Sequence, residues 1–539
     1  LRLLCSFFFF AASLLALSVE DVRREPSGYA KDLFLLNILE QNITKEEAYR
    51  AYFLTKTPKS AHSELLLKKS GSKKLLTLFD CMDSNISRAL KKTPECAELG
   101  VNYKKISTAM TQSSDEPLRL AELIREKAPK KSPKIELLSK IVGNRHTLDE
   151  NTIDIYFESS KEFRSAFFDL NLTQEELKAL SASKNAKRFI KWALFDKNNT
   201  QLQKSISMLE ANELSDPEAI FFLGLAKLKH GQDALDTFLK AAKTATSDEG
   251  RDRAYFWAYL VSSDGRFLKN TANDASVNFY SYLAKEKIGK EVKNIEFVSV
   301  VDAKKDDKNV SSPFYWQNFR TKVKNADRDE LENIVSKAKK IKNGEAYYLY
   351  AKEKQSGYKK EFFLLPYQED FEDFNESQKT LLHAIGRQES LFVPSIVSSA
   401  YAIGVMQIIP ILAEELAEKR REKLNFFELF EPAKNISYAA THFKWLESKV
   451  KHPTLIAVSY NAGYGFFRRI ERDGLFVFED DAMLDYEPFW SIENIPYDET
   501  RQYAKKVSLN YAVYSQKFGE RVTLSELLEK LVKLRRKDF

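Results

Sequence analysis

Residues 216–245, DPEAIFFLGLAKLKHGQDALDTFLKAAKTA, hold two amphipathic helical patterns separated at His230-Gly231. Such a pair is an αα-hairpin, and one hairpin cannot bury its apolar face alone. It needs further hairpins stacked beside it. From about Asp21 to Gly289 the chain keeps to this habit. AKDLFLLNILEQN, SKKLLTLFDCMDSNISRALKK and KRFIKWALFDK all carry the helical period, with short polar breaks and almost no strand-like alternation. No fixed repeat length emerges. Only 17 glycines and 15 prolines punctuate 539 residues, so turns are few and helices dominate. A chain of this length exceeds one core and divides into several domains. Packed helices with no chemistry of their own account for nearly all of this region.

VNFYSYLAKEKIG, residues 277–289, reads as a closing helix. VKNIEFVSVVDAKKDDKNVSSP then changes character and is the best strand-like or linker stretch, which places a boundary near 290. Helix returns from Asp327 to Gly357. EFFLLPYQEDFEDFNESQ reads as a loop leading into a helix capped near Asn375. TLSELLEKLVKLRRKD, at the other end, is a charged helix.

The first residues, LRLLCSFFFFAASLLALS, combine one positive charge, an apolar run and small residues at its end. The run is short for a membrane span and fits an export signal over residues 1–18. Cys5 lacks the small preceding residue that a lipidation site needs. Removal of the signal leaves Cys81 and Cys96. In an exported protein they predict a disulfide, against the alternative of two buried thiols. The net charge of +7 is spread along the chain, which suits an anionic polymer but argues weakly for nucleic acid. There is no GxxxxGK[ST], HExxH or GxSxG, no paired CxxC, and the six histidines do not cluster. His383 and His442 read as packing or surface residues.

TLLHAIGRQESLFVP, residues 380–394, breaks a local rule. Leu381, Ile385 and Glu389 are four apart and share one helix face, widened by Leu382. A glutamate at a helix end is ordinarily solvated. On a buried face, beside the negative end of the helix dipole, its carboxyl would instead be driven toward the neutral form. Pro394 helps to end the helix.

Three further stretches follow in order: SAYAIGVMQIIP (399–410), SYNAGYGFFRRI (459–470) and IPYDETRQY (495–503). With Glu389-Ser390 they resemble the catalytic domain of the soluble lytic murein transglycosylases, whose pattern runs E-S, G-L-M-Q, A-Y-N-A-G and I-P-x-x-E-T-R-x-Y. EPAKNISYAATHFKWL (431–446) resembles the family's D-P-x-x-N-I-x-x-G segment, and Tyr280–Ala284 its Y-x-Y-L-A. The specific motifs cover about Leu381 to Val507. Val405, Ile409, Ser459 and Ala439 depart from the pattern without removing an ionisable group.

The resemblance implies a mostly α fold. An α-superhelix of helical hairpins (19–290) would precede a small helical linker domain (291–361) and a lysozyme-like, goose-type catalytic domain (362–539). It also implies cleavage of the β-1,4 bond between N-acetylmuramic acid and N-acetylglucosamine. Glu389 would be the sole acid and base, leaving a 1,6-anhydro end and using no metal or cofactor. Ordinary lysozyme-type chemistry needs a second carboxylate within roughly 5–9 Å, and the motifs offer only Glu499. Tyr460 would hydrogen-bond and orient Glu389, the alternative being a core tyrosine. Gln407 would contact sugars, Met406 would line the floor and Ser398 would lie near the acid. Glu499 would bind substrate or, equally, pair with Arg501. Asn461 and Gly463 would shape a turn. The implied partner is peptidoglycan, and not nucleic acid. The implied state is a periplasmic monomer with no membrane insertion after signal cleavage, and cell-wall synthesis enzymes are possible partners. The rival readings are a water-using muramidase of the same fold, a wall-enzyme scaffold with a degenerate domain and a nucleic-acid-binding α-solenoid.

Overall fold

Polar caps decide where many of these helices start, because the first turn leaves unpaired backbone amides. Asn375 Oδ1 accepts from the Gln378 amide at 2.9 Å, and the Gln378 side chain returns to the Asn375 amide. Helix Glu376–Ser390 begins there, at the expected cap. Thr523 caps Leu524–Val532 in the same reciprocal way, and Asp327 caps Arg328–Ala338 by accepting from the Glu330 amide. The computed structural model describes residues 18–534 except 40, 59, 84–85, 112–115, 144–145, 275–276, 299–309, 342–343, 359 and 479–482. Residues 1–17, most of the expected export signal, lie outside the described residues. Among the described residues no helix is long and apolar enough to cross a membrane.

The chain is mostly α and forms two compact units. One is Gly71–Thr271; the other joins the residues up to Ser70 with those from Ala272 onward. Compactness therefore groups residues differently from the partition at 290 and 361. The physical reason lies in the early helices. Phe34, on Tyr29–Ile38, packs 4.8 Å from Phe314 and 4.9 Å from Phe427 in a core shared with Val22, Ile38 and Leu66.

In Gly71–Thr271 helices pack mainly on their sequence neighbours, as stacked hairpins do. The hairpin at 216–245 comprises Pro217–Lys229 and Leu235–Thr244, with Gly231 at φ 67° in the turn. Its helices touch where a Cβ on Gly224 would stand 2.5 Å from Phe238 Cε1, so the close approach requires glycine. Cys81 and Cys96, both buried, form a disulfide.

In the other unit, strand β1 (Ile295–Val298) forms where a strand is predicted. It pairs in parallel with β2 (Glu361–Leu364), Ile295 opposite Glu361 and Val298 opposite Leu364. The expected loop at EFFLLP is thus partly a strand, and its partner lies in the stretch before the connecting helices. Helix also returns earlier than Asp327, at Pro313–Asn325, with Ser312 as its cap. Phe363 of β2 packs 5.1 Å from Tyr514 on the long helix Asp498–Phe518.

That long helix is the spine of the C-terminal part. It lies between Glu376–Ser390, through Asn510 Nδ2 donating to the Ala384 carbonyl at 3.2 Å, and Pro453–Ala462, through Thr454 and Ser508 hydroxyls 2.8 Å apart. Tyr280, in helix Phe279–Lys287, donates to the buried Glu493 carboxylate. Lys505 on the long helix reaches the same carboxylate at 3.0 Å. The Tyr280–Ala284 stretch therefore anchors the helix after the first unit to the ETR helix.

Candidate active site

Glu389 lies in the last turn of Glu376–Ser390, one turn beyond Ile385 and two beyond Leu381, both buried. The helix ends at Leu391, where the backbone turns left-handed at φ 51°, followed by Phe392 at φ 65°. Pro394 thus follows a stop already made by the backbone turn. Glu389 itself is partly buried. Tyr503 donates its hydroxyl to Glu389 Oε1 at 2.7 Å. Burial pushes the Glu389 carboxyl up to about 7, and the Glu499 charge adds to that, while the Tyr503 hydrogen bond opposes it. The group is a carboxylic acid poised at neutral pH, as a general acid requires.

Tyr460 is placed otherwise than expected. Its hydroxyl donates to the Met406 carbonyl at 2.8 Å, not to Glu389. It still stands close enough for the Glu389 charge, after burial, to push the phenol well above its usual range. Tyr503 is the phenol on the acid. It lies in the ETRQY motif, and its position one turn beyond Glu499 was the available signal.

Behind Glu389, Ser390 donates to the Val405 carbonyl at 2.7 Å and so fixes the acid helix to the segment Ile396–Ile408. A Cβ on Gly386 would meet Phe392 at 3.0 Å and Met406 Sδ at 3.2 Å, so glycine lets Met406 close against the helix. Met406 is fully buried beneath the site. Its amide donates to Asn435 Oδ1 at 2.7 Å, and Asn435 Nδ2 donates to the Ile403 carbonyl at 2.8 Å and the Leu429 carbonyl at 3.0 Å. Asn435, from the EPAKNI stretch, is the hub of this segment and had no role assigned from sequence. It comes so close that a Cβ on Gly404 (φ 81°) would stand 2.4 Å from its Nδ2 and 2.3 Å from the Leu429 oxygen.

Gln407, at φ 49°, turns its amide inward to the Gly404 carbonyl at 2.8 Å and the Ile396 carbonyl at 3.3 Å. No described residue donates to its side-chain oxygen. Ser398 Oγ accepts from the Ala400 amide at 3.2 Å and the Ala402 amide at 3.1 Å, shaping the same segment. Asn461 accepts from the Thr500 hydroxyl at 2.7 Å and donates to Glu499 Oε1 at 3.4 Å, joining the end of Pro453–Ala462 to the start of the ETR helix. Gly463, at φ 85°, makes the turn after it. Glu499 is exposed, and Arg501 turns elsewhere, to Asp498 and the Ile495 carbonyl. His383 is buried and His442 half-buried, and loss of water pushes both down to about 4, so both are neutral at pH 7.

Residues 367–474 match the family model described as the transglycosylase SLT domain. Over 278 residues, 47% of this chain, the sequence is 24% identical to a soluble lytic murein transglycosylase of Escherichia coli K12, covering 41% of that protein. Over 144 residues, 26% of this chain, it is 29% identical to a soluble lytic murein transglycosylase of Salmonella typhimurium LT2, covering 21% of that protein. The matches thus span less than half of these relatives' lengths. The fold is similar to that of an inactive mutant of the lytic transglycosylase Slt from Pseudomonas aeruginosa, with a TM-score of 0.51 at 17% identity over 92% of this chain and 83% of that one. Residues 367–474 thus resemble a transglycosylase SLT domain, and the chain resembles the soluble lytic murein transglycosylases, as its four motifs indicate.

Proposed function

We propose that this chain is a peptidoglycan lytic transglycosylase of cell-wall turnover or remodelling, with Glu389 as its single acid and base. The observation that carries the reading is a carboxyl raised to about 7, held by Tyr503, on an SLT domain. Neutral Glu389 donates its proton to the oxygen between N-acetylmuramic acid and N-acetylglucosamine, and that bond breaks. The substrate's own acetamido group supports the cationic centre at C1. Glu389, now a carboxylate, takes the proton of the muramoyl 6-hydroxyl as that oxygen closes on C1. The acid is regenerated, no water is consumed, and the product ends in 1,6-anhydro-N-acetylmuramic acid.

Tyr503 orients the acid. Gln407 offers its free oxygen to sugar hydroxyls or amides, with Met406 as floor. Glu499, exposed and steered by Asn461, meets polar groups of the substrate. Tyr460 and Ser398 act by shaping the Ile396–Ile408 segment. Residues 19–290 serve as helical scaffold, 291–361 as linker and 362–539 as the catalytic part. The site of action is the periplasm, after removal of an export signal at residues 1–18. The working form is a monomer, with wall-synthesis enzymes as candidate partners.

The test is mass spectrometry of sacculi digested by the full chain. The expected fragments lack one water relative to hydrolysed ones. Reducing N-acetylmuramic acid ends would instead assign a water-using muramidase. No fragments at all would leave a wall-binding scaffold.

A further inference from the structure

The segment Ile396–Ile408 carries Ser398, Met406 and Gln407 and contains no helix. Two isolated antiparallel bridges, Val397 with Ile403 and Ile403 with Ile408, fold it on itself. Its backbone is left-handed at Tyr401 (φ 60°), Gly404 (φ 81°) and Gln407 (φ 49°). Left-handed backbone is costly for a bulky side chain and persists where the surroundings enforce it. Gly404 needs no enforcement, and Gln407 is held by its own amide on Gly404 and Ile396. Tyr401 is held from far away in sequence.

The Tyr401 hydroxyl donates to Asp32 Oδ2 at 3.1 Å, across 369 residues of sequence, and lies 2.6 Å from Thr57 Oγ1. Its ring meets Tyr29 edge-on at 6.1 Å. Asp32 is 1% exposed. Its carboxylate also accepts from the Lys56 amide at 2.7 Å, the Thr57 amide at 3.1 Å and the Thr57 hydroxyl at 2.7 Å. A buried carboxylate is tolerated because these donors replace its water. The same donors hold the Asp32 side chain in place, so the point it offers Tyr401 is rigid. Val397, on the other side of Ser398, packs against the core that holds Phe34 and Ile38. The N-terminal helices therefore grip the segment at both Val397 and Tyr401.

We propose that Asp32 is a positioning residue for glycan binding. Through Tyr401 it fixes the left-handed turn that sets the register of the segment, and so the placement of the Gln407 oxygen over the Met406 floor. The helical pair Tyr29–Ile38 and Lys45–Leu54, remote in sequence from every motif, is then part of the substrate site. This rests on the reading of Ile396–Ile408 as a sugar-binding segment. Asp32 touches neither Glu389 nor Tyr503, so the grip governs binding and leaves the proton transfer alone.

The experiment uses the full chain with Asp32→Ala, Asp32→Asn and Tyr401→Phe. It reads KM and kcat on soluble glycan strands, the pH midpoint of kcat, and hydrogen exchange of the 401–408 amides. Asp32→Ala and Tyr401→Phe are expected to raise KM about tenfold, with kcat within about twofold and the pH midpoint unmoved. Exchange at 401–408 is expected to quicken. Asp32→Asn keeps one acceptor oxygen, enough for the Lys56 amide, but sets an NH2 where the Thr57 amide and the Thr57 and Tyr401 hydroxyls donate, and should recover little of the loss. Tyr401→Phe removes one hydroxyl and keeps the ring, so it reports even if Asp32→Ala does not fold. An unchanged KM in Tyr401→Phe, or a fall in kcat with KM unmoved, would overturn the proposal. If the wild-type chain cleaves no glycan, the function proposed above fails. Exchange then decides this inference alone: quickened at 401–408 in the variants supports it, and unchanged overturns it.

Discussion

Tyr503 donates its hydroxyl to Glu389 Oε1 at 2.7 Å, from a helix that packs along the whole acid helix. The bond favours the carboxylate, whereas burial and the Glu499 charge favour the acid. The proton of Glu389 is held by the difference between these effects, and each can be removed separately.

Tyr503→Phe removes the one contact that lowers the Glu389 carboxyl. The alkaline limb of the pH–rate profile should move upward from about 7. The rate at the optimum should still fall about tenfold, because the acid loses its orientation. Tyr460→Phe breaks only the bond to the Met406 carbonyl. It should lower activity less and leave the limb nearly in place. Paired pH–rate profiles of the two variants check this.

Glu389→Gln should lower glycan cleavage about 10³-fold and leave binding to sacculi intact. It should also stabilise the fold at neutral pH. The folded carboxyl titrates at about 7 against 4.5 for a solvated glutamate, so the folded state keeps a proton that the unfolded state gives up. Stability in the wild type therefore falls as pH rises from 4.5 to about 7 and is level above that. The variant lacks this loss. Denaturant melts should show it on the order of 2 kcal/mol more stable at pH 8 and no different at pH 4.

Gly404→Ala should be severe. The added methyl would meet the Leu429 carbonyl at 2.3 Å and Asn435 Nδ2 at 2.4 Å, on backbone at φ 81°. A cost on the order of 3 kcal/mol or more is expected in chemical denaturation, with loss of cleavage. Asn435→Ala frees the Met406 amide and two carbonyls without a clash. It should keep the fold and lose most of the glycan affinity, read by sacculus sedimentation.

The Cys81–Cys96 bridge closes a separation of 15 residues in the unit Gly71–Thr271. Reduction should destabilise that unit by about 3 kcal/mol and leave the Glu389 site working at low temperature. Thermal melts with and without reductant, followed by cleavage assays, check both halves.

The sequence reveals local features of this chain far better than contacts across distance. The cap at Asn375, the hairpin turn at His230-Gly231 and the acid at the end of an apolar stripe all follow from neighbours within a few residues. Strand β2 is only four residues long and acquires its identity from a partner more than sixty residues earlier, so EFFL alone reads as loop. Which tyrosine reaches Glu389 depends on how the long helix is rotated against the acid helix. Tyr460 and Tyr503 both sit in the right motifs, and only packing separates them. Asp32 was invisible because its role is created by Tyr401, hundreds of residues away.

The central claim is that Glu389 keeps its proton up to near neutral pH. The direct measurement is a carbon-13 NMR titration of the glutamate carboxyls of the full chain, with Glu389→Gln identifying the resonance by its disappearance. A midpoint near 7 is expected, moving upward in Tyr503→Phe. A Glu389 carboxyl that titrates near 4.5, like a solvated glutamate, would contradict it.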